Sequence, residues 1–270
     1  NSGIKLAVFV TSSNELNKRK NEQIYELSLS FPDLIYVMDE SSINSLSMKP
    51  LDLAGLPAIQ VQYNLLNPWT RSLKRLTELI ICFLIIAITL PFFLVLAVLI
   101  HFDSSGPIIF VQERVGKSGK RFNLYKFRTM VTDADEKLVE LLKNDKELRK
   151  EYNKYHKIRN DPRITRMGKF LRKTSLDEFP QIWNVVRGEM SLVGPRAYMP
   201  EELEEMGDSI KLIERVSPGL TGWWQVMGRH DVSFQQRLQM DEFYIINYSL
   251  WMDLYISIKT VWIIISGQGE

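Results

Sequence analysis

The chain has 270 residues, 45% of them hydrophobic and 24% charged, which excludes a disordered protein. A formal net charge of +2 argues against binding nucleic acid through bulk charge. The single cysteine, Cys82, excludes an internal disulfide, and three histidines (101, 156 and 230) show no zinc-ligand spacing.

Residues 1–66 read as the end of a small α/β unit. IKLAVFV (4–10), LIYVMD (34–39) and PAIQVQY (57–63) predict strands, and Asn14 can cap a helix running to about Ser30. The alternation predicts a parallel sheet. No G-x-G-x-x-G is present, so a structural or regulatory role is expected there. The sequence begins with Asn rather than Met, as a fragment or processed product would.

From Leu79 to Ile100 runs LIICFLIIAITLPFFLVLAVLI, without a charge. That matches the ~20 residues a membrane helix needs. A spanning helix concentrates its basic flank on the cytoplasmic side. Here Arg71, Lys74 and Arg75 precede the run, and Arg114, Lys117, Lys120 and Arg121 follow it. Pro91 stands in the middle, where it removes a backbone hydrogen bond and bends a helix. Bent there, the segment can enter and leave through one face. A kinked spanning helix and a buried soluble helix are the competing readings.

The polar remainder opens with RVGKSGKRFNLYKFRTM (114–130), two strands around a glycine turn. Alternation puts Lys126 and Arg128 on one face, Tyr125 and Phe127 on the other. That face is a solvated edge near anionic lipid or a surface for phosphates. Residues 134–159 predict a charged helix or helical pair, with a stripe of Leu138, Leu141, Leu142 and Leu148 and no chemistry. In NDPRITRMGKFLRK, Ile164, Met167, Phe170 and Leu171 share a face bordered by Arg166, Lys169, Arg172 and Lys173. Such a basic amphipathic helix can lie on a membrane surface.

It leads directly into Asp177-Glu178. Ser175-x-x-Glu178 matches a capping box, in which the pair is only a helix start. A helix beginning at Pro180 instead places both carboxylates at its positive end. Spacing alone leaves structural and catalytic readings open. Further on, Trp223 and Trp224 can pack, sit at the lipid interface or stack a base. The stretch 243–267 predicts an interfacial helix, interrupted by Asp253 and Lys259. Arg229 and Asp241 read as ion-paired structural groups.

RKTSLDEFPQIWNVVRGEMSLVGPR (172–196) resembles the signature of bacterial polyprenyl-phosphate sugar-1-phosphate transferases. The similarity runs from about residue 70 to the C-terminus. It includes ERVGKSGKRFNLYKFRTM, NDPRITRMGKFLRK, SPGLTGWWQVMGR and YIINYSLWMDLYISIKT. The insert KNDKELRKEYNKYHKIRNDPRIT is most like that of undecaprenyl-phosphate galactose phosphotransferases. GPRA (194–197) departs from the usual GPRP but keeps Arg196. Larger members carry an upstream membrane bundle and an α/β domain, so this chain is expected to be truncated.

The resemblance implies an α+β, predominantly helical catalytic domain over 67–270. It carries a re-entrant membrane helix at about 74–103, broken at Pro91, and interfacial amphipathic helices. Residues 1–66 then form a partial cytosolic α/β (Rossmann-like) unit. The implied reaction joins a UDP-sugar to undecaprenyl phosphate with Mg²⁺, releasing UMP and transferring galactose- or glucose-1-phosphate. It is the first membrane step of glycoconjugate assembly, on the cytosolic face of the bacterial inner membrane. Asp177 is implied as nucleophile and metal contact, forming a phosphosugar-aspartate, and Glu178 as a positioning group. Lys126, Arg172 and Arg196 match the basic phosphate-binding positions. Carboxylates attacking an anionic phosphorus need such cations. The partners implied are the two substrates and membrane lipid, with no nucleic acid; a homodimer is left open. A membrane-bound Mg²⁺-dependent phosphatase or pyrophosphatase, and a non-catalytic membrane scaffold, use the same residues differently.

Overall fold

The apolar run forms the middle of one long helix, α1 (Pro68–Asp103), of 36 residues. In the computed structural model the described residues are 6–10, 33–37, 48–53, 56–62, 64–144, 148–149, 158, 161–228 and 232–266. Among them α1 is the one helix long and apolar enough to cross a membrane. It starts at Asn67, whose side chain accepts from Trp69 N at 3.0 Å, with Pro68 in the first turn. The helical run passes through Pro91 without ending. One turn earlier, Thr89 Oγ1 donates to the Ile85 carbonyl at 2.6 Å, a back-bond that favours bending.

The buried positions of α1 are Lys74, Glu78, Cys82, Phe93, Leu96 and Ile100. Cys82 and Phe93 are eleven residues apart, three turns plus ~20° at 100° per residue, so both fall on one stripe. That stripe packs against the polar domain on both sides of Pro91. Cys82 meets Phe122, Leu124, Ile182 and Val185; Phe93, Leu96 and Ile100 meet Phe127 and Leu171. The other faces carry exposed Phe83, Ile88, Leu94 and Phe102.

Both ends of α1 are held by charge. Near its start, Lys74 Nζ lies 3.0 Å from Glu78 and 2.5 Å from Asp253, and Glu78 accepts Leu192 N at 3.0 Å and the Ser191 hydroxyl. At its end, Arg128 donates to the carbonyls of Ser104 (2.5 Å) and Pro107. Arg128 therefore does not join Lys126 on a phosphate-facing surface. It is buried, holding the carbonyls just after α1 and, at 3.5 Å, the Ile100 carbonyl of that helix's last turn.

The N-terminal strands β1 (Leu6–Val10), β2 (Asp33–Val37), β3 (Met48–Leu53) and β4 (Leu56–Gln62) form a sheet of order β1-β2-β4-β3. Only β1 and β2 are parallel; β4 runs antiparallel to both neighbours. The expected all-parallel sheet is thus mixed. The unforeseen strand β3 holds Pro50, tolerable because β3 is an edge strand. The helix expected from Asn14 lies outside the described residues.

The polar domain begins with the expected hairpin, β5 (Ile109–Val115) against β6 (Arg121–Phe127). Helix α2 (Ala134–Asn144) follows; most of 145–160 lies outside the described residues. Then come α3 (Arg166–Thr174), α4 (Gln181–Arg187) and β7 (Ser191–Val193). The short α5 (Leu203–Met206) and α6 (Ile210–Ile213) precede β8 (Gly219–Thr221), which pairs parallel with β7. Helices α7 (Trp223–Met227), α8 (Phe234–Ile246) and α9 (Leu250–Ile265) complete it. On α9, Trp251, Leu254, Tyr255, Ile258, Val261 and Trp262 are exposed while Ile256 is fully buried. That is the one-sided apolar surface expected of an interfacial helix.

Candidate active site

Helix α3 is seated first. Thr165 caps it, its Oγ1 accepting Gly168 N at 3.0 Å, while Thr165 N donates to the Thr129 carbonyl at 3.0 Å. A side chain at Gly168 would run into that same carbonyl, so α3 lies directly against the end of β6. The contact places Arg172, whose Nε donates to Thr129 Oγ1 at 3.0 Å. Ahead of α3, Arg163 grips Asp161 with a fork, Nε–Oδ1 2.8 Å and Nη2–Oδ2 2.6 Å.

Helix α3 ends at Ser175, in the left-handed region with φ +55°. There the chain reverses into a 3₁₀ turn, Leu176–Glu178, before Pro180 leads into α4. This geometry rules out the capping box. Ser175 makes no side-chain cap bond, and Glu178 does not reach back to it. Instead Glu178 Oε1 meets Lys126 Nζ at 2.6 Å across 52 residues of sequence. Phe179 stacks on Phe93 of α1, and Phe93 on Phe127, fastening the carboxylate turn to the long apolar helix two residues beyond Pro91.

Asp177 faces a different environment. Burial pushes its carboxyl up to about 6, and the Glu178 charge adds to this; Lys126 and Arg172 oppose it. Among the described residues no cation stands within ion-pairing distance of Asp177, whereas Glu178 is taken by Lys126. The structure therefore gathers Lys126, Arg172, Asp177 and Glu178 from β6, α3 and the turn.

Arg196 belongs to a neighbouring cluster. Its loop is set by close backbone approach: Gly194 N donates to the Thr221 carbonyl at 2.9 Å and Gly219 N to the Pro195 carbonyl at 2.7 Å. A Cβ at Gly194 would strike the Gly219 and Ser217 backbone. Arg196 N donates to Asp241 Oδ2 at 3.0 Å, and its guanidinium lies 5.6 Å from the Trp224 ring. Asp241 is not ion-paired as expected: fully buried, it also accepts the Tyr198 hydroxyl at 2.8 Å. Arg229 lies outside the described residues. Trp223 packs toward Phe243 and Tyr255, so the two tryptophans have separate surroundings.

Arg114, read above only as a flank of the apolar run, links the two groups. Buried, it donates to the Ala197 carbonyl at 3.0 Å and to Gln112 Oε1 at 2.7 Å. Burial first, then Arg196, holds its guanidinium down to about 10, while Glu202 and Glu178 oppose. Its signal in sequence was weak, an arginine alternating with Gln112 in β5.

No cluster of three or more His, Cys, Asp or Glu is arranged as a metal cage among the described residues. Mg²⁺ needs less: one or two carboxylates, with substrate phosphates and waters filling the rest. Asp177, which no cation takes, and Glu178 beside it fit that donor set.

The structure thus sets a carboxylate turn among basic groups and docks it on an apolar helix. The chain belongs to the bacterial sugar transferase family, whose model matches residues 69–267. Over 211 residues it is 44% identical to the UDP-galactose-lipid carrier transferase of Erwinia amylovora, covering 78% of this chain and 44% of that protein. Over the same length it is 43% identical to the undecaprenyl-phosphate galactose phosphotransferase of Salmonella typhimurium, with the same shares. The chain thus spans less than half the length of these two relatives. By contrast, its 40% match to the exopolysaccharide production protein ExoY of Sinorhizobium fredii covers 73% of this chain and 87% of that protein.

Proposed function

We propose that this chain transfers a sugar-1-phosphate from a UDP-sugar to undecaprenyl phosphate, releasing UMP. One observation carries this reading. Asp177, half-buried and unclaimed by any cation among the described residues, sits beside the Lys126–Glu178 pair and Arg172. The names of the relatives support the substrates: UDP-galactose and a lipid carrier in one, undecaprenyl phosphate and galactose in another. A third, 31% identical over 251 residues, is a UDP-glucose:undecaprenyl-phosphate glucose-1-phosphate transferase of Escherichia coli. The near-complete match to ExoY supports residues 69–267 as the catalytic unit.

In the first step an Asp177 carboxylate oxygen attacks the phosphorus that bears the sugar. The P–O bond to the second phosphate breaks, and the bridging oxygen leaves with UMP. Lys126 and Arg172 offset repulsion between the carboxylate and that phosphorus. In the second step a phosphate oxygen of undecaprenyl phosphate attacks the same phosphorus. The acyl-phosphate bond breaks, and the Asp177 carboxylate is restored. Glu178, held by Lys126, positions the acceptor or the metal. A bound Mg²⁺, held by Asp177 with Glu178 beside it, would neutralise phosphate charge during both displacements.

The site works at a membrane in this reading, with the catalytic domain on the cytosolic side of the inner membrane. Helix α1 keeps contact with the same polar domain from Lys74 to Ile100, which supports entry and exit through one face rather than a span. Cysteines at exposed Ser72 and Ser118, in a Cys82→Ala background, should both react with an impermeant reagent from the cytosolic side only. Labelling from opposite sides would establish a span.

The central test is UMP release from a panel of UDP-sugars, with and without undecaprenyl phosphate and Mg²⁺. Release that requires both, with sugar and two phosphates recovered on the lipid, is the expected result. Free sugar phosphate formed without the lipid would make the protein a hydrolase. No release under any condition would leave a scaffold.

A further inference from the structure

Five buried polar atoms that make no hydrogen bond gather beside Arg196: Arg114 Nε, Arg196 Nε, Arg237 Nε, Trp224 Nε1 and Asp241 Oδ1. Buried polar atoms are normally paired, so four unmatched donors around one unmatched carboxylate oxygen point to a ligand. The charges agree. The Arg237 guanidinium lies 4.6 Å from the Trp224 ring, and Arg196 lies over the same ring. Among the described residues Arg237 has no ion pair. Its guanidinium is held below its ordinary value by burial and then by Arg196, a like-charged neighbour. The Glu202 carboxylate stands 3.9 Å from the Arg196 guanidinium and 3.8 Å from that of Arg114, beyond hydrogen-bond distance. Its Oε2 already accepts Met199 N at 2.6 Å. Asp241 Oδ2 is committed to Arg196 N and the Tyr198 hydroxyl.

We propose that Arg196 and Arg237, stacked on Trp224 and backed by the charge of Arg114, form the subsite for the phosphate of the departing nucleoside monophosphate. This rests on the transferase reading above and extends it to a pair of residues, Arg237 and Trp224, outside the carboxylate turn. Two features favour the nucleotide over the lipid. Arg114 feels both Arg196 and Glu178, so the cluster lies beside the reacting turn, where the second phosphate of a diphosphate falls. Trp224 is turned about 100° along α7 from Trp223, whose neighbours Phe243 and Tyr255 belong to the exposed apolar side. When the P–O bond to the sugar-bearing phosphorus breaks, the bridging oxygen stays with the nucleotide, whose phosphate gains a negative charge. Guanidiniums with unmatched donors stand where that charge grows, and their planar forks suit a phosphate.

The test uses the full chain in detergent, titrated with UMP and with inorganic phosphate, and read by tryptophan fluorescence and calorimetry. Arg237→Gln should weaken UMP binding about tenfold or more, raise KM for the UDP-sugar similarly, and leave KM for undecaprenyl phosphate unchanged. Trp224→Phe should abolish the UMP-induced fluorescence change. Arg237→Lys, which keeps charge but loses the fork, should fall between wild type and glutamine and serves if the glutamine variant does not fold. Wild-type UMP affinity in a folded Arg237→Gln or Arg237→Lys protein overturns the proposal. So does a rise in KM confined to the lipid acceptor, which would assign the cluster to lipid phosphate. If UMP binds in an Arg237-dependent manner yet no sugar phosphate is transferred, the transferase reading fails and the subsite stands.

Discussion

Asp177 and Asp241 share a residue type and an electrostatic condition, and the structure uses them differently. Burial pushes both carboxyls up, to about 6 and about 7. Asp241 is enclosed and its Oδ2 is committed to two donors, Arg196 N and Tyr198 OH, so it ties α8 to the loop carrying Arg196. Asp177 sits on a turn beside a like-charged neighbour, with Lys126 and Arg172 near but not joined to it. A raised carboxyl therefore marks burial in both places. What separates them is commitment: Asp241 Oδ2 is held by two donors, as a brace is, whereas Lys126 and Arg172 are engaged elsewhere, on Glu178 and Thr129, and leave Asp177 available for the proposed reaction.

Substitution should separate the two most sharply. Asp177→Asn removes the charge and keeps the shape. Turnover should fall by a factor on the order of 10³ or more, with a normally folded protein. UMP release near the wild-type rate would end the nucleophile assignment. Asp241→Ala should act through stability, since it leaves Tyr198 OH and Arg196 N buried without an acceptor. A loss of about 3 kcal/mol is expected, seen as a lower Tm. A variant as stable as wild type would show that Asp241 is not a brace.

Smaller effects sharpen the contrast. Lys126→Gln breaks a half-exposed ion pair worth no more than about 1 kcal/mol of stability. Activity should still fall at least about tenfold, because in the proposed reaction Lys126 offsets the charge of the reacting phosphate. A Tm loss without an activity loss would reduce Lys126 to a structural partner of Glu178.

The smallest expected effect is a change of stability with pH. The folded pKa of Asp177 is raised, from 3.8 to about 6, so the folded state holds the proton more tightly. The stability this group contributes is full below about pH 4 and is lost as pH rises through about 6. Without Mg²⁺, Asp177→Asn should therefore melt a few degrees above wild type at pH 7.5, and the gap should close near pH 4. A gap independent of pH would contradict the burial account. Wild-type kcat/KM should fall in step as pH drops below about 6, since in the proposed reaction the attacking group is the ionised carboxylate.

The amino-acid sequence by itself determined the local features of this protein. The uncharged run at 79–100 became α1, the glycine turn at 116–119 joined β5 to β6, and the basic stripe at 166–173 became α3. Hydrophobic period, turn residues and caps act over a few neighbouring positions, and such signals are legible along a chain. The order of motifs likewise pointed to the sugar transferase family and to Asp177, Glu178, Lys126 and Arg172. Other features were decided by tertiary structure alone. Ser175 adopted a left-handed backbone, which turned Glu178 from a helix cap into the partner of Lys126. Arg128 went to the end of α1 instead of the phosphate face, because the carbonyls of Ser104 and Pro107 lay within its reach. Arg196 and Arg237 met over the Trp224 ring, with the charge of Arg114 beside Arg196, though all four are widely separated in sequence. No period links such positions. Their meeting depends on how β7 and β8 bring Gly194 against Gly219, a backbone contact that exists only once the fold has formed.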